Sequence, residues 1–186
     1  IKTAGTDGGE VKTLYTFNPS SGPGGDGASI RQYAGTMRFS NEGNYLGFHK
    51  YPFSASLSSD GVIFSLIPGN GGDALDVGDM LHYPDWVTWS PYGDTAAFIA
   101  GNGREALSNK RLTIVSANRP EEKAVITPEG SVDRDPAWSP DGKYIAFSRA
   151  GSSPWKNEKK EWPQARIWLT SPDGSAARCV SDEDTT

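Results

Sequence analysis

Cysteine, histidine and long apolar runs are what this chain has least of, and each scarcity closes off a class of function. One cysteine among 186 residues, Cys179, excludes an intrachain disulfide and any cysteine-rich metal site. Its setting, Ala177-Arg178-Cys179-Val180, reads as a strand carrying a packed thiol. The only histidines are His49 and His82, whereas a histidine-built metal or catalytic centre wants at least two with converging carboxylates. No apolar run approaches the roughly 18 residues of a membrane span. A net charge of −5 argues against a nucleic-acid surface, which is normally basic, and is ordinary for a soluble domain. Catalytic signatures are missing too: there is no Gly-x-Ser-x-Gly elbow, no His-Glu-x-x-His and no marked carboxylate pair. The turns Asp141-Gly142 and Asp173-Gly174 lack the further oxygen ligands of a calcium loop. The expectation is no catalytic residue, no bound metal and no cofactor.

Glycine, proline and aromatics are plentiful instead: 22 Gly, 13 Pro and 11% aromatic residues, a turn-rich and strand-rich composition. They are organised around one stretch, Arg134 to Ser148, RDPAWSPDGKYIAFS. Pro140 presets the turn, Asp141 bonds its own backbone and Gly142 takes the positive φ that closes it, so the aromatic runs on either side form a β-hairpin. The hairpin recurs at Asp85–Ala100 (DWVTWSPYGDTAAFIA) and Thr36–Lys50 (TMRFSNEGNYLGFHK). Phe39, Trp89 and Trp138 coincide, as do Gly43, Gly93 and Gly142, and Phe48, Phe98 and Phe147; the serines Ser40, Ser90 and Ser139 are spaced 50 and 49 residues apart. Because those serines recur in every copy, none reads as a nucleophile. Four strand-like runs per period make each repeat a four-stranded antiparallel blade, and a period in this range marks a propeller or solenoid.

The pattern x-P-x-W-S-P-D-G-K-x-I-A-F resembles the WD-like β-propeller repeat of the TolB-like periplasmic proteins, found also in propeller domains of prolyl-oligopeptidase-type enzymes. Pro136–Phe147 matches it almost completely, Trp86–Phe98 has Tyr92 where Asp is usual, and Met37–Phe48 keeps only Phe-Ser, Gly and Phe. The fold implied is an all-β propeller of which about three and a half blades are present.

Residues 1–17 read as a half blade, the third and fourth strands, because Ile1–Leu14 lies without gaps on Ile167–Val180. Residues 18–29 are a Gly/Ser/Pro-rich connector; Asn18–Ala28 lacks the Gly-Lys-Ser/Thr ending of a phosphate loop. Blades follow at 30–78, 79–128 and 129–186, the last with an acidic tail, Ser181–Thr186. Strands are expected near Thr36–Ser40, Tyr45–Lys50, Val62–Ile67 and Ala74–Val77; near Trp86–Ser90, Thr95–Ala100, Arg111–Ser116 and Lys123–Ile126; and near Pro136–Ser139, Tyr144–Arg149, Arg166–Thr170 and Ala177–Val180. With neither a starting Met nor an export signal ahead of the half blade, the chain is expected to be a piece of a longer protein. The repeated aromatics are expected to pack between blades. The open ends expose apolar faces and predict self-association, although two copies would leave two half blades that cannot complete each other.

In a propeller, the blade-to-blade loops and the loops from second to third strand emerge on one face. Here the long second-to-third loops are Tyr51–Asp60, Gly101–Lys110 and Gly151–Gln164. The blade-to-blade segments carry Arg31 and Tyr33, then His82, Tyr83 and Asp85, then Asp133, Arg134 and Asp135. Long loops on one face of a rigid scaffold read as recognition elements. The candidate ligand or partner face is Tyr33, His82, Tyr83, Asp85, Arg134, Asp135, Trp155 and Trp162. Trp155 and Trp162 flank a mixed charge cluster, and their rings either form a protein-binding hot spot or fold back over the blade. His82 with Asp85 and Asp135 either lines the channel as a ligand set or is structural.

With no catalytic motif, an acidic balance and no long apolar run, the expected role is a non-catalytic binding scaffold for a protein partner or small ligand, with no nucleic acid and no membrane span; the resemblance implies a periplasmic or extracellular location. The alternative it allows is the propeller part of an enzyme, either a prolyl-oligopeptidase-like gating domain or a metal-dependent lyase.

Overall fold

Residues 1–17, 32–52, 61–103, 105–153 and 163–181 are described by the computed structural model, and nearly all of their regular structure is strand. The strands are β1 (Lys2–Thr3), β2 (Lys12–Thr13), β3 (Gln32–Phe39), β4 (Tyr45–Pro52), β5 (Val62–Pro68), β6 (Leu75–Met80), β7 (Val87–Trp89), β8 (Thr95–Ala100), β9 (Arg111–Ser116), β10 (Arg119–Val125), β11 (Ser131–Trp138), β12 (Ile145–Gly151), β13 (Arg166–Thr170) and β14 (Arg178–Cys179). They form three four-stranded antiparallel sheets in chain order, β3–β6, β7–β10 and β11–β14, and a two-stranded sheet β1–β2. The two-stranded sheet repeats the outer half of the last one: Lys2 pairs with Thr13 as Trp168 pairs with Cys179. The connecting turns match as well, with Gly9 N–H donating to Asp7 and Ser175 N–H to Asp173.

The hairpin turn that organises the sequence is the same in all three blades. The serine N–H donates to the carbonyl five residues on, in Ser40–Tyr45, Ser90–Thr95 and Ser139–Tyr144. Gly43, Gly93 and Gly142 take φ of 76°, 67° and 69°, the left-handed region open to glycine at little cost.

Packing between blades follows from the alternation of side chains along each strand. Phe48, Phe98 and Phe147 are buried at the same place in successive blades, and most of the core is one continuous cluster running through all three sheets. A smaller cluster, with Leu14, Leu46, Phe48 and Ile67, joins the two-stranded sheet to β4 and β5. Trp89 lies against β4, so close that a Cβ on Gly47 would sit 3.1 Å from its ring. β11 lies against β7, β8 and β9, which packs the first strand of the third sheet on the second sheet. On the turn side, Ser40 donates to Asp94 (2.7 Å) and Asn44 donates to its other oxygen (3.0 Å), stitching the first blade to the second.

Phe39 departs from the expectation of a repeated inter-blade core. It is 47% exposed, where Trp89 is 9% exposed and Trp138 half-buried. The aromatic at this position packs on the second strand of the preceding blade. The sheet preceding Phe39 matches only third and fourth strands, so among the described residues nothing stands opposite it. Several strands also run beyond the expected limits. β4 continues through Tyr51, β3 and β11 begin earlier than expected, and Trp86 lies in a 3-10 turn, Pro84–Trp86, rather than in β7.

Candidate functional site

The loop face is built first by two backbone devices. β3 and β11 each carry a bulge, between Gly35 and Arg38 and between Arg134 and Ala137, and the bulged residues Thr36 and Asp135 hold φ of 50° and 53°. Positive φ costs a β-branched or acidic residue of order 1 kcal/mol or more and re-aims its side chain, and such bulges concentrate near functional surfaces. Thr36 and Asp135 occupy equivalent places in their repeats, three residues before Phe39 and Trp138. In the second blade the same place holds Trp86.

Each of these three residues anchors an aromatic contact. Thr36 shares a 2.8 Å hydrogen bond with the Tyr51 hydroxyl. Tyr33 stacks on Tyr51 with ring centroids 4.7 Å apart and planes at 10°, and His82 meets the same ring edge-on at 4.8 Å. Trp86 is buried, donates its indole N–H to Asp135 at 2.9 Å, and carries Tyr83 on its ring at 4.6 Å. Asp85 faces Arg38 of β3 at 3.8 Å. The sequence-predicted residues therefore fall into two groups, Tyr33 with His82 around Tyr51, and Tyr83 with Asp135 around Trp86; Asp85 lies between Pro84 and Trp86. Arg134 is half-buried on β11 opposite Ser148. Trp155 and Trp162, like Arg31, lie outside the described residues.

His82, Asp85 and Asp135 are each engaged by a different neighbour rather than by one another. Among the described residues no three His, Cys, Asp or Glu side chains come close enough to hold a metal ion. The site does bring both histidines of the chain together. His49 sits in the blade interior, 6.0 Å from Tyr51 and 6.1 Å from Phe64 by ring centroid, with both ring nitrogens lacking a hydrogen-bond partner among the described residues. Burial first, and then the nearby His82, push its pKa down to about 4, so it stands neutral at ordinary pH. Burial likewise pushes the Tyr51 phenol up, partly offset by its bond to Thr36.

Tyr51, Trp86, Thr36, Arg38 and His49 are the members that sequence reasoning did not bring into the site. The repeat alignment holds the signal for two of them, since Thr36, Trp86 and Asp135 are one register position.

Comparisons with known proteins bear on the fold. No family model and no curated protein matches the chain. A structure assigned as TolB from Agrobacterium tumefaciens matches with a TM-score of 0.51 and 18% identity over 86% of this chain and 49% of its own. TolB from Acinetobacter baumannii matches at 0.45 and 14%, over 98% and 37%. A prolyl endopeptidase structure matches at 0.53 and 16%, over 93% and 24%. The chain thus spans about half the length of the first of these and less of the other two. At such identities the likeness shows the fold alone, a TolB-like β-propeller built from four-stranded blades. Among the described residues no helix is long and apolar enough to cross a membrane.

Proposed function

We propose that this chain is a non-catalytic binding scaffold, working outside the cytoplasm, whose protein or small-ligand surface is the loop face around Tyr33, His82, Tyr83, Asp85, Arg134 and Asp135. Trp155 and Trp162 belong to the same proposed face. The observation that carries the reading is the seating of Tyr33 and Tyr83. Both rings are half exposed, yet each is held against a buried aromatic, Tyr51 or Trp86. Exposed aromatics that are already ordered lose little side-chain freedom on binding, which suits a recognition anchor. Asp85, Arg38 and Asp135 beside them supply polar contacts of both signs. Association of copies through the exposed first-blade strand is part of the same reading.

A peptide library displayed on phage tests it. Clones selected on the wild-type chain are expected to lose about tenfold or more in affinity on a Tyr33→Ala/Tyr83→Ala variant, the loss of two anchors of over 1 kcal/mol being the measure. Clones that bind both proteins alike would place recognition elsewhere and sink the proposal for this face.

A further inference from the structure

We propose that the junction of the second and third blades holds a separate site, a polar cleft that takes a zwitterionic amino acid or short peptide between Arg111 and Glu129. The cavity is about 440 Å³, within the range of small-ligand clefts. Asn109 and Arg111, the segment Pro128–Ser131, and Ser152 line it.

Both lips are pinned by charged groups buried for no evident gain in stability. Lys110 is fully buried and donates from Nζ to the carbonyls of Asn102 and Ser108, both at 2.9 Å, drawing its loop closed. Within that loop Asn109 holds φ of 52°, and its carbonyl lies where a Cβ on Gly101 would be, so Gly101 (φ 125°) cannot be replaced without shifting the lip. The opposite lip hangs from Thr127, which donates to Asp133 at 2.7 Å and accepts the Leu112 N–H at 2.7 Å. Arg149 grips Asp133 with Nε and Nη2, both at 2.7 Å. The two networks join where Asp133 N–H donates to the Lys110 carbonyl at 3.0 Å. Ser152 N–H donates to Gly130 O at 2.7 Å and ties the end of the cleft to the turn.

A buried ion pair is weak evidence for stability, since its desolvation offsets its attraction. It is an effective way to hold a loop rim in one geometry, which a binding site requires. Against that rim, Arg111 and Glu129 are exposed, and neither side chain has a hydrogen bond or ion pair with the described residues. Two exposed side chains of opposite charge lining one cleft fit a ligand that carries both charges. The guanidinium takes the α-carboxylate by paired N–H donation, and Glu129 accepts from the α-ammonium. This site shares no residue with the aromatic row, so each can fail alone.

The experiment is a titration of the 15N-labelled protein with glycylglycine, followed by amide chemical shifts, beside its N-acetyl and C-terminal amide forms. Saturable shifts confined to residues 109–111, 129–131 and 152 are expected with the free dipeptide. Each cap, and each of Arg111→Ala and Glu129→Gln, is expected to weaken binding about tenfold or more, as losing a charge-assisted contact does. The swap Arg111→Glu/Glu129→Arg is expected to recover part of that loss. The Tyr33→Ala/Tyr83→Ala variant is expected to bind glycylglycine as the wild type does. Equal binding of free and capped forms, shifts elsewhere, or no shifts up to about 20 mM, weaker than any useful affinity, would overturn the proposal.

Discussion

Trp89 and Phe39 occupy the same place in consecutive repeats, at the end of a first strand and just before the serine that opens the turn. One is 9% exposed and the other 47%. Their own strands do not explain the difference, because both pair normally with the next strand of their sheet. The neighbour explains it. Trp89 has β4 behind it, whereas the sheet described ahead of Phe39 is two-stranded and covers β4 and β5 through Leu14 and Tyr15. Burial in this fold is therefore a property of a junction between blades, not of a blade, as expected of a stacked-repeat architecture.

The strongest test pairs truncations on either side of that contrast. Trp89→Ala should cost about 3–5 kcal/mol in urea unfolding, the range for deleting a buried aromatic. A mild effect would mean that the junction repacks and that the contrast with Phe39 carries little energy. The buried ion pair at the other junction extends the test to charge. Asp133→Ala leaves Arg149 uncompensated inside the protein and should cost about 3–5 kcal/mol. Breaking the exposed pair Arg119–Glu122, 2.6 Å apart on β10, by Glu122→Ala should cost at most about 1 kcal/mol. Equal costs would show that the interior of the Asp133 junction is wetter than its geometry implies.

His49 gives a junction a pH dependence. Its pKa of about 4 in the folded chain lies below the ordinary 6.5, so the unfolded state takes up the proton first as pH falls. Stability from this group is present in full above pH 6.5 and is lost as pH drops towards 4, by about 3 kcal/mol at most. His49→Leu removes two unpartnered ring nitrogens without much change in volume. It should flatten that acid limb while shifting stability at pH 8 by less than about 1.5 kcal/mol. Unfolding midpoints of both proteins between pH 4 and 8 decide this, and an unchanged acid limb in the variant would remove His49 as its cause.

The propeller was legible because its signals are local and repeated: a turn with serine first and glycine fourth, and an aromatic at each end of the hairpin. The site was legible only in part, for three physical reasons. Tyr51 opens the expected loop Tyr51–Asp60, yet β4 carries on through it to Pro52. Trp86 was read as strand because the repeat alignment ignores that Pro84 starts a 3-10 turn there. Arg149 falls in an expected strand and Asp133 and Lys110 in connecting segments, and charged side chains are usually exposed, so nothing in the sequence marks these three as buried. Nothing short of the register of β11 on β12, with its bulge after Arg134, places Asp133 opposite Arg149.

The smallest expected effect on stability comes from the exposed member of the opening pair. With little to lose, Phe39→Ala should change monomer stability by no more than about 0.5 kcal/mol. Its consequence should appear in association instead. Phe39 lies on the same strand as Met37, which is also about half exposed, and an apolar strand surface of that kind is an association surface. Light scattering over a concentration series should find the wild type above the 20.0 kDa of one chain, and Met37→Ser/Phe39→Ser nearer to it. Should Phe39→Ala instead cost as much as Trp89→Ala at a dilution where the chain is monomeric, Phe39 is covered within a single molecule. Burial at that position would then not depend on a strand packed behind it among the described residues, and the account of the blades as stable only through their junctions would fail at the one place where it is exposed to test.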